Sequence, residues 1–324
     1  MGINLWNIRK RFSKMKPMKP PFGYYGGKQR IASKIIPFIP KHTVYVEPFC
    51  GSATILFKKP WPNVTNNNHY REYINDTNGL VFNFFDVLSR RGNELADRLA
   101  VYPMLEEHHS ITKNICKSST GADELELAIA FFVNVQQSFS NNLNSGWRRG
   151  VYGRNEQATW AKIKNLYDYV ERMSSVGVSC QDAPKYIRQF DSPQTFFYCD
   201  PPYPETDQGH YKGYTQENFN NLVNTLSACQ GSAIISCYNQ DDRFNPYIWT
   251  KAEFSTTCSA KNRVGYDRSK KKDESDQNRK RTEVIYIKQS SQPREEIQKL
   301  YDSGKFDCFE GRLGELVLNT KKER

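Results

Sequence analysis

Four acids stand directly after apolar runs: Glu47 closes "TVYVE", Asp76 closes "EYIND", Asp182 closes "GVSCQD" and Asp200 closes "TFFYCD". One acid in such a place is usually a turn former or a helix cap. Ligands of an open parallel sheet bind outside the carboxyl ends of its strands, so four strand-end acids would line one crevice. The last acid is followed at once by Pro201, Pro202 and Tyr203. Proline fixes φ and carries no N–H, so the pair stops the strand at a turn. The carboxylate of Asp200 and the carbonyl of Pro201 then make two rigid neighbouring acceptors, which suits an exocyclic amine with its two N–H donors. Tyr203 supplies a ring to stack on the flat base bearing that amine. An ordinary proline-rich turn is the competing reading, and the other three acids weigh against it.

Two further stretches have the composition of a ligand site. "EPFCGSA" (47–53) is a strand-to-helix turn in which Gly51 lets a ligand approach the backbone, with Glu47 and Phe49 beside it. It lacks the G-x-G-x-x-G spacing of a phosphate cradle. "YYGGK" (24–28) joins aromatics, a Gly-Gly pair and Lys28; taken alone it reads as a simple turn.

The elements that must position these residues alternate at both ends of the chain. Strand signals at 43–49, 72–76, 177–182, 195–200, 232–238 and 282–288 are interleaved with helical patterns at 79–91 and 215–229. Leu80, Val81, Phe84, Phe85 and Leu88 recur at helical spacing, and Thr215 is a candidate N-cap. Strand–turn–helix repetition implies a parallel sheet covered by helices, an α/β class. Between 92 and 175 the strand signal fades into two helical stretches, 122–139 and 158–173. They flank a polar loop holding Trp147, Arg148, Arg149, Tyr152 and Arg154. The expected organisation is a basic amino terminus (1–20), a catalytic α/β domain (21–91 and 176–289), a helical insert (92–175) and a tail (290–324).

Charge points to a polyanionic partner. The formal net charge is +11, and ten Lys or Arg precede the first acid, Glu47. A second run, 268–281, carries seven positive and three negative charges. Basic clusters of this kind hold nucleic acid, although a solvated tail and loop would look the same. The eight cysteines form no C-x-x-C pair, which argues for reduced thiols and against a disulfide frame or zinc site. No apolar run is long enough to span a membrane, and the amino terminus lacks the apolar core of a secretory signal. A cytoplasmic protein with no metal is the expectation.

In order, "FGYYGGKQRI", "VEPFCGSA", "YINDTNGLVFNFFDVL", "CQDAPKYIRQFDSPQTFFYCDPPY" and "KRTEVIYI" resemble the Dam-like adenine-N6 DNA methyltransferases across about residues 21 to 289. The resemblance implies a Rossmann-like sheet that binds S-adenosylmethionine, with an inserted target-recognition module. It assigns cofactor contacts to Tyr24, Lys28, Glu47, Phe49, Gly51, Asp76, Asp182 and Asp200. Among these Asp76 takes the ribose and Asp182 the adenine of the cofactor. Asp200, Pro201, Pro202 and Tyr203 become the catalytic motif. Arg148, Arg149 and Arg154 are the candidate DNA contacts, with ordinary surface arginines as the alternative. Ser52 stands where the family usually has a second glycine, and Tyr24 where it often has tryptophan. The implied reaction is methylation of adenine N6 in double-stranded DNA in a bacterial or phage-infected cell, with base flipping, no metal, and a restriction endonuclease as a possible companion. Cytosine-N4 or RNA adenine methylation, and a catalytically silent DNA-binding regulator, are the alternatives. A protein-glutamine methyltransferase is disfavoured by the basic surface and the insert.

Overall fold

The structure is a computed structural model that describes residues 17–24, 26–60, 70–102, 105–118, 121, 123–148, 163, 165–204, 213–238, 241–257 and 280–290. Arg149, Arg154, Tyr152, nearly all of the 268–281 run and the tail from 291 lie outside them, as does the amino terminus up to residue 16.

Among the described residues the strands are β1 (Val44–Glu47), β2 (Arg71–Asn75), β3 (Val176–Ser179), β4 (Thr195–Cys199), β5 (Ser232–Cys237), β6 (Trp249–Thr257) and β7 (Lys280–Lys288). They form one seven-stranded sheet in the order β3-β2-β1-β4-β5-β7-β6. Strands β1 to β5 pair in parallel, β7 runs antiparallel to β5, and β6 antiparallel to β7. The chain steps outward one way through β2 and β3 and the other way through β4 and β5. Its direction therefore reverses between β1 and β4, and such a reversal opens a crevice at the carboxyl ends of the two strands.

Both faces of the sheet are covered, so the central strands β4 and β5 are buried along their whole length and do not alternate between buried and exposed residues. Every residue of β4 is buried. Phe196 and Tyr198 face one core with Tyr45, Ile234, Ile285 and Phe85. Phe197 and Cys199 face the other, with Val46, Ile235, Tyr186 and Phe219.

The helices are α1 (Ala32–Ile35), α2 (Thr54–Lys58), α3 (Gly79–Ala100), α4 (Glu106–Ser118), α5 (Glu124–Gln137), α6 (Leu166–Met173), α7 (Ala183–Gln189) and α8 (Gln216–Ala228). Helix α3 continues past the expected end at 91, because Leu95, Ala96 and Leu99 extend the buried stripe. Arg91 interrupts it with φ −128° and ψ 26°. A Cβ on the next residue, Gly92, would sit 2.4 Å from Val170 Cγ2, so glycine is what lets α6 pack against α3. Thr215 caps α8 as its sequence indicates, in a reciprocal capping box with Asn218.

Helix α4 and strand β6 were not marked in the sequence. Only His109 and Thr112 of α4 are buried, too few to leave an apolar period. Strand β6 lies on the sheet edge and pairs on one side only, so its composition is mixed.

Candidate active site

The sheet order brings the carboxyl ends of β3, β2, β1 and β4 side by side; Glu47 is the last residue of β1, and Asp76, Asp182 and Asp200 follow β2, β3 and β4. They face different surroundings. Glu47 is buried, and its Oε1 accepts hydrogen bonds from Tyr45 Oη at 2.6 Å and the Leu56 amide at 2.7 Å. Burial pushes its carboxyl up to about 7, against the pull of those two donors and Lys59. Asp76 is equally buried, accepting from the Gly51 amide through Oδ2 and from the Asn78 amide through Oδ1, each at 2.9 Å. Both carboxylates hold the turn after β1 in place. Asp182, by contrast, is exposed on the rim, where it caps α7 by accepting the Lys185 amide at 3.0 Å.

The turn itself needs its glycine. Gly51 has φ +48°, and a Cβ there would lie 3.1 Å from the Tyr24 ring. Left-handed backbone suits glycine, and Ala53 follows in the same region at φ 51°. Tyr24 thus packs on the turn, while its hydroxyl accepts from Asn78 Nδ2 at 3.1 Å. Asn75 is a further residue of this frame. Its buried amide donates to the Pro48 and Gln181 carbonyls and accepts the Gln181 amide, tying the loops after β1 and β3 to β2. An asparagine just before a strand-end acid was the available signal.

Asp200 follows β4 at the reversal point. The Lys28 ammonium lies 2.6 Å from its Oδ1, and also reaches the Gly26 carbonyl at 3.3 Å. Burial works against the charge on Lys28, but Asp200 and Glu283 outweigh it and its pKa rises. Burial raises Asp200 as well, with Lys28 opposing. These two directions pull apart, the first favouring the ion pair and the second disfavouring it. The pair stands, because one ammonium at bonding distance faces two carboxylates. Tyr203 lies beside it, its ring centroid 5.1 Å from Lys28 Nζ and edge-on to Tyr238 at 4.6 Å.

A cavity of about 670 Å³ opens next to this cluster. Phe49, Asn78, Asp182, Pro184, Pro202 and Tyr214 line its sheet side, and Lys113 and Lys117 of α4 its helical side. Its volume and its mixture of apolar and polar walls match a small-molecule site. Phe49 meets Tyr214 edge-on at 6.1 Å. Of the Asp200–Tyr203 segment, Pro202 alone reaches the wall. The structure therefore packs Tyr24 on Gly51, brings Lys28, Asp200 and Tyr203 together, and puts Phe49 and Asp182 on the wall of an adjoining hollow.

Of the three arginines, Arg148 is described. Its amide and its Nη2 donate to the carbonyls of Gln137 and Gln136 at 2.6 and 3.1 Å, so it folds back on the carboxyl end of α5. The turn after α5 packs against the amino-terminal motif, where a Cβ on Gly23 would lie 2.7 Å from Asn141 Oδ1. On the same turn Phe139 is 59% exposed.

These residues, in this order on this sheet, match the model of the D12 class N6 adenine-specific DNA methyltransferases over residues 24–230. The chain belongs to this family. The match runs from Tyr24 through the Asp200–Tyr203 motif and stops before β5, β7 and β6. Among curated proteins, the modification methylase StsI of Streptococcus sanguinis is 25% identical over 234 residues, which cover 68% of this chain and 33% of that protein. The chain thus spans about a third of the length of that relative. Among the described residues no cluster of His, Cys, Asp or Glu is suited to a metal ion, and no helix is long and apolar enough to cross a membrane. Six of the cysteines are described, and all six are free thiols.

Proposed function

We propose that this D12-family chain transfers a methyl group from S-adenosylmethionine to N6 of adenine in double-stranded DNA. The observation that carries this reading is Asp200 at the reversal of strand order, paired with Lys28 beside a cavity of cofactor size. The residues present fit the methyl donor. The apolar faces of Phe49 and Tyr214 and the rim acid Asp182 suit a nucleoside, and Asp76 and Glu47 keep the turn that carries Phe49. When bound, S-adenosylmethionine supplies an already activated methyl group on a sulfonium.

The chain's own residues then have a defined task. The lone pair of adenine N6 is delocalised into the ring and is a poor nucleophile. Asp200 and the Pro201 carbonyl accept its two N–H bonds, localise the lone pair and stabilise positive charge as nitrogen attacks. Prolines 201 and 202 keep these acceptors fixed, so alignment is set before reaction. Tyr203 stacks on the adenine.

The amine is paired inside a duplex, so the base must be extruded, at a cost of a few kcal/mol. Stacking on Tyr203 offsets about 1–3 kcal/mol of this. The stretch 92–175, which holds α4, α5 and α6, serves as the target-recognition insert. Exposed Phe139 at its edge offers a further stacking face. Arg149 and Arg154 are the candidate phosphate contacts, whereas Arg148 is bonded to the carboxyl end of α5. The relative's role as a modification methylase supports a partnership with a restriction endonuclease in a bacterial cytoplasm.

The test is incorporation of labelled methyl groups from S-adenosylmethionine into unmethylated plasmid DNA, followed by nucleoside analysis. N6-methyladenine is expected. Label in RNA alone, or in cytosine, would overturn the substrate assignment.

A further inference from the structure

Glu283 lies on β7, beyond the family match at residues 24–230. Register explains how it reaches the catalytic motif. The last β5–β7 pair is Cys237 with Val284, so Tyr238 and Glu283 emerge together where the two strands leave each other. Glu283 Oε2 accepts the Tyr203 hydroxyl at 3.3 Å, while the same hydroxyl lies 3.5 Å from Asp200 Oδ1. Two carboxylates thus compete for one phenol.

The competition has a consequence for the amine. Asp200 Oδ1 already receives Lys28. Every donor that Asp200 takes from the protein is one fewer vacancy for the target N–H. A half-buried phenol gains by donating to a neighbouring acceptor, since a shielded donor left without one costs more than the bond returns. Of the two carboxylates beside the hydroxyl, Asp200 is the one that remains when Glu283 is removed.

We propose that Glu283 is a positioning residue, drawing the Tyr203 hydroxyl away from Asp200 so that the carboxylate stays open to the target amine. The same bond, with Tyr238 against the ring edge, fixes the plane on which the base stacks. Burial holds the Tyr203 hydroxyl far above the ordinary phenol range, so it remains a donor at every working pH.

This inference rests on the methyl-transfer reading, and the experiment separates the two. Rates are measured with saturating S-adenosylmethionine on unmethylated plasmid DNA. If the wild-type protein transfers no methyl group, the functional reading fails. The Tyr203–Glu283 contact is then judged by a double-mutant cycle in urea unfolding, in which additive effects overturn it and non-additive effects support it. With an active protein, Glu283→Ala should lower kcat about tenfold, a loss near 1.4 kcal/mol of barrier, with KM for S-adenosylmethionine unchanged. Glu283→Gln keeps an oxygen for the hydroxyl and should stay within about threefold of wild type. It should also extend activity to lower pH, because Glu283 helps raise Asp200. Tyr203→Phe removes the competing hydroxyl, so adding it to Glu283→Ala should restore part of the lost kcat. A Glu283→Gln variant as slow as Glu283→Ala overturns the proposal, as does a double variant slower than either single one.

Discussion

The ammonium of Lys28 sits 2.6 Å from Oδ1 of Asp200, joining the amino-terminal Gly-Gly motif to the strand-end acid that follows β4. Lys28 is nearly buried and Asp200 largely so, with side-chain exposures of 8% and 19%. The acid is therefore oriented and charge-balanced by the fold itself.

Replacing Asp200 with Asn should reduce methyl incorporation by at least about 10²-fold, the usual cost of losing one electrostatic contact to a transition state. Asp200→Ala additionally strands the Lys28 ammonium and should cost roughly 2 kcal/mol of stability, short of a fully buried pair because Asp200 is partly exposed. Radiolabel transfer and thermal unfolding measure the two effects. In the wild type, activity should fall with acid as Asp200 is protonated, at a pH above the ordinary aspartate range, because its pKa is raised by burial. An Asp200→Asn variant with a tenth of wild-type activity or more would remove the acid from its assigned role.

Asp182 has two jobs that a choice of substitution separates. It caps α7 and lines the cavity. Asp182→Ala should lose the cap, about 1 kcal/mol, and also bind S-adenosylmethionine more weakly. Asp182→Asn keeps an oxygen for the Lys185 amide. Calorimetry should show weaker binding by about tenfold, or 1.4 kcal/mol, with an unchanged melting temperature. Unchanged affinity in Asp182→Asn would place the cofactor elsewhere.

Glu47 makes the fold pH-dependent from within. Its carboxyl is raised from 4.5 to about 7 by burial, so between those values the native state binds a proton that the unfolded state does not. That stability is complete below about pH 4.5 and is lost as pH rises through about 7, by up to ~3 kcal/mol. Glu47→Gln keeps the acceptor for Tyr45 and Leu56 and should abolish this decline. Urea unfolding at pH 5 and pH 8 for both proteins gives the difference directly, and parallel slopes would refute it.

Arg172 on α6 reaches across to Glu72 on β2 at 2.6 Å, and Lys59 meets the other oxygen at 2.5 Å. All three are buried. Burial disfavours the charge on Glu72, but the two cations overcome it and hold its carboxyl down at about 2. This contribution is present above about pH 4.5 and is lost as pH falls toward 2. Arg172→Met should destabilise the protein by about 3 kcal/mol, since a buried charge loses a partner. It should also weaken the acid dependence in that window, as measured by denaturant midpoints at pH 3 and pH 7.

The sequence determined the α/β class, since strand and helix signals alternate at both ends and β4 is apolar from Thr195 to Cys199. It also marked Asp200, Lys28 and Gly51, because prolines, paired glycines and strand-end acids are local signals of local geometry. Tertiary structure decided what those acids face. Glu47 and Asp76 turn inward to hold the Gly51 turn, whereas Asp182 sits on the rim, and nothing in their shared pattern separates these fates. Arg148 looked like its neighbours until the end of α5 was seen to hold it. Glu283 was one charge in a basic closing stretch, and only the antiparallel pairing of β7 with β5 carries it to Tyr203. Sequence spacing encodes neighbours along an element. Contacts between residues 80 positions apart, like Tyr203 and Glu283, depend on strand order and register, which arise only when the whole sheet packs.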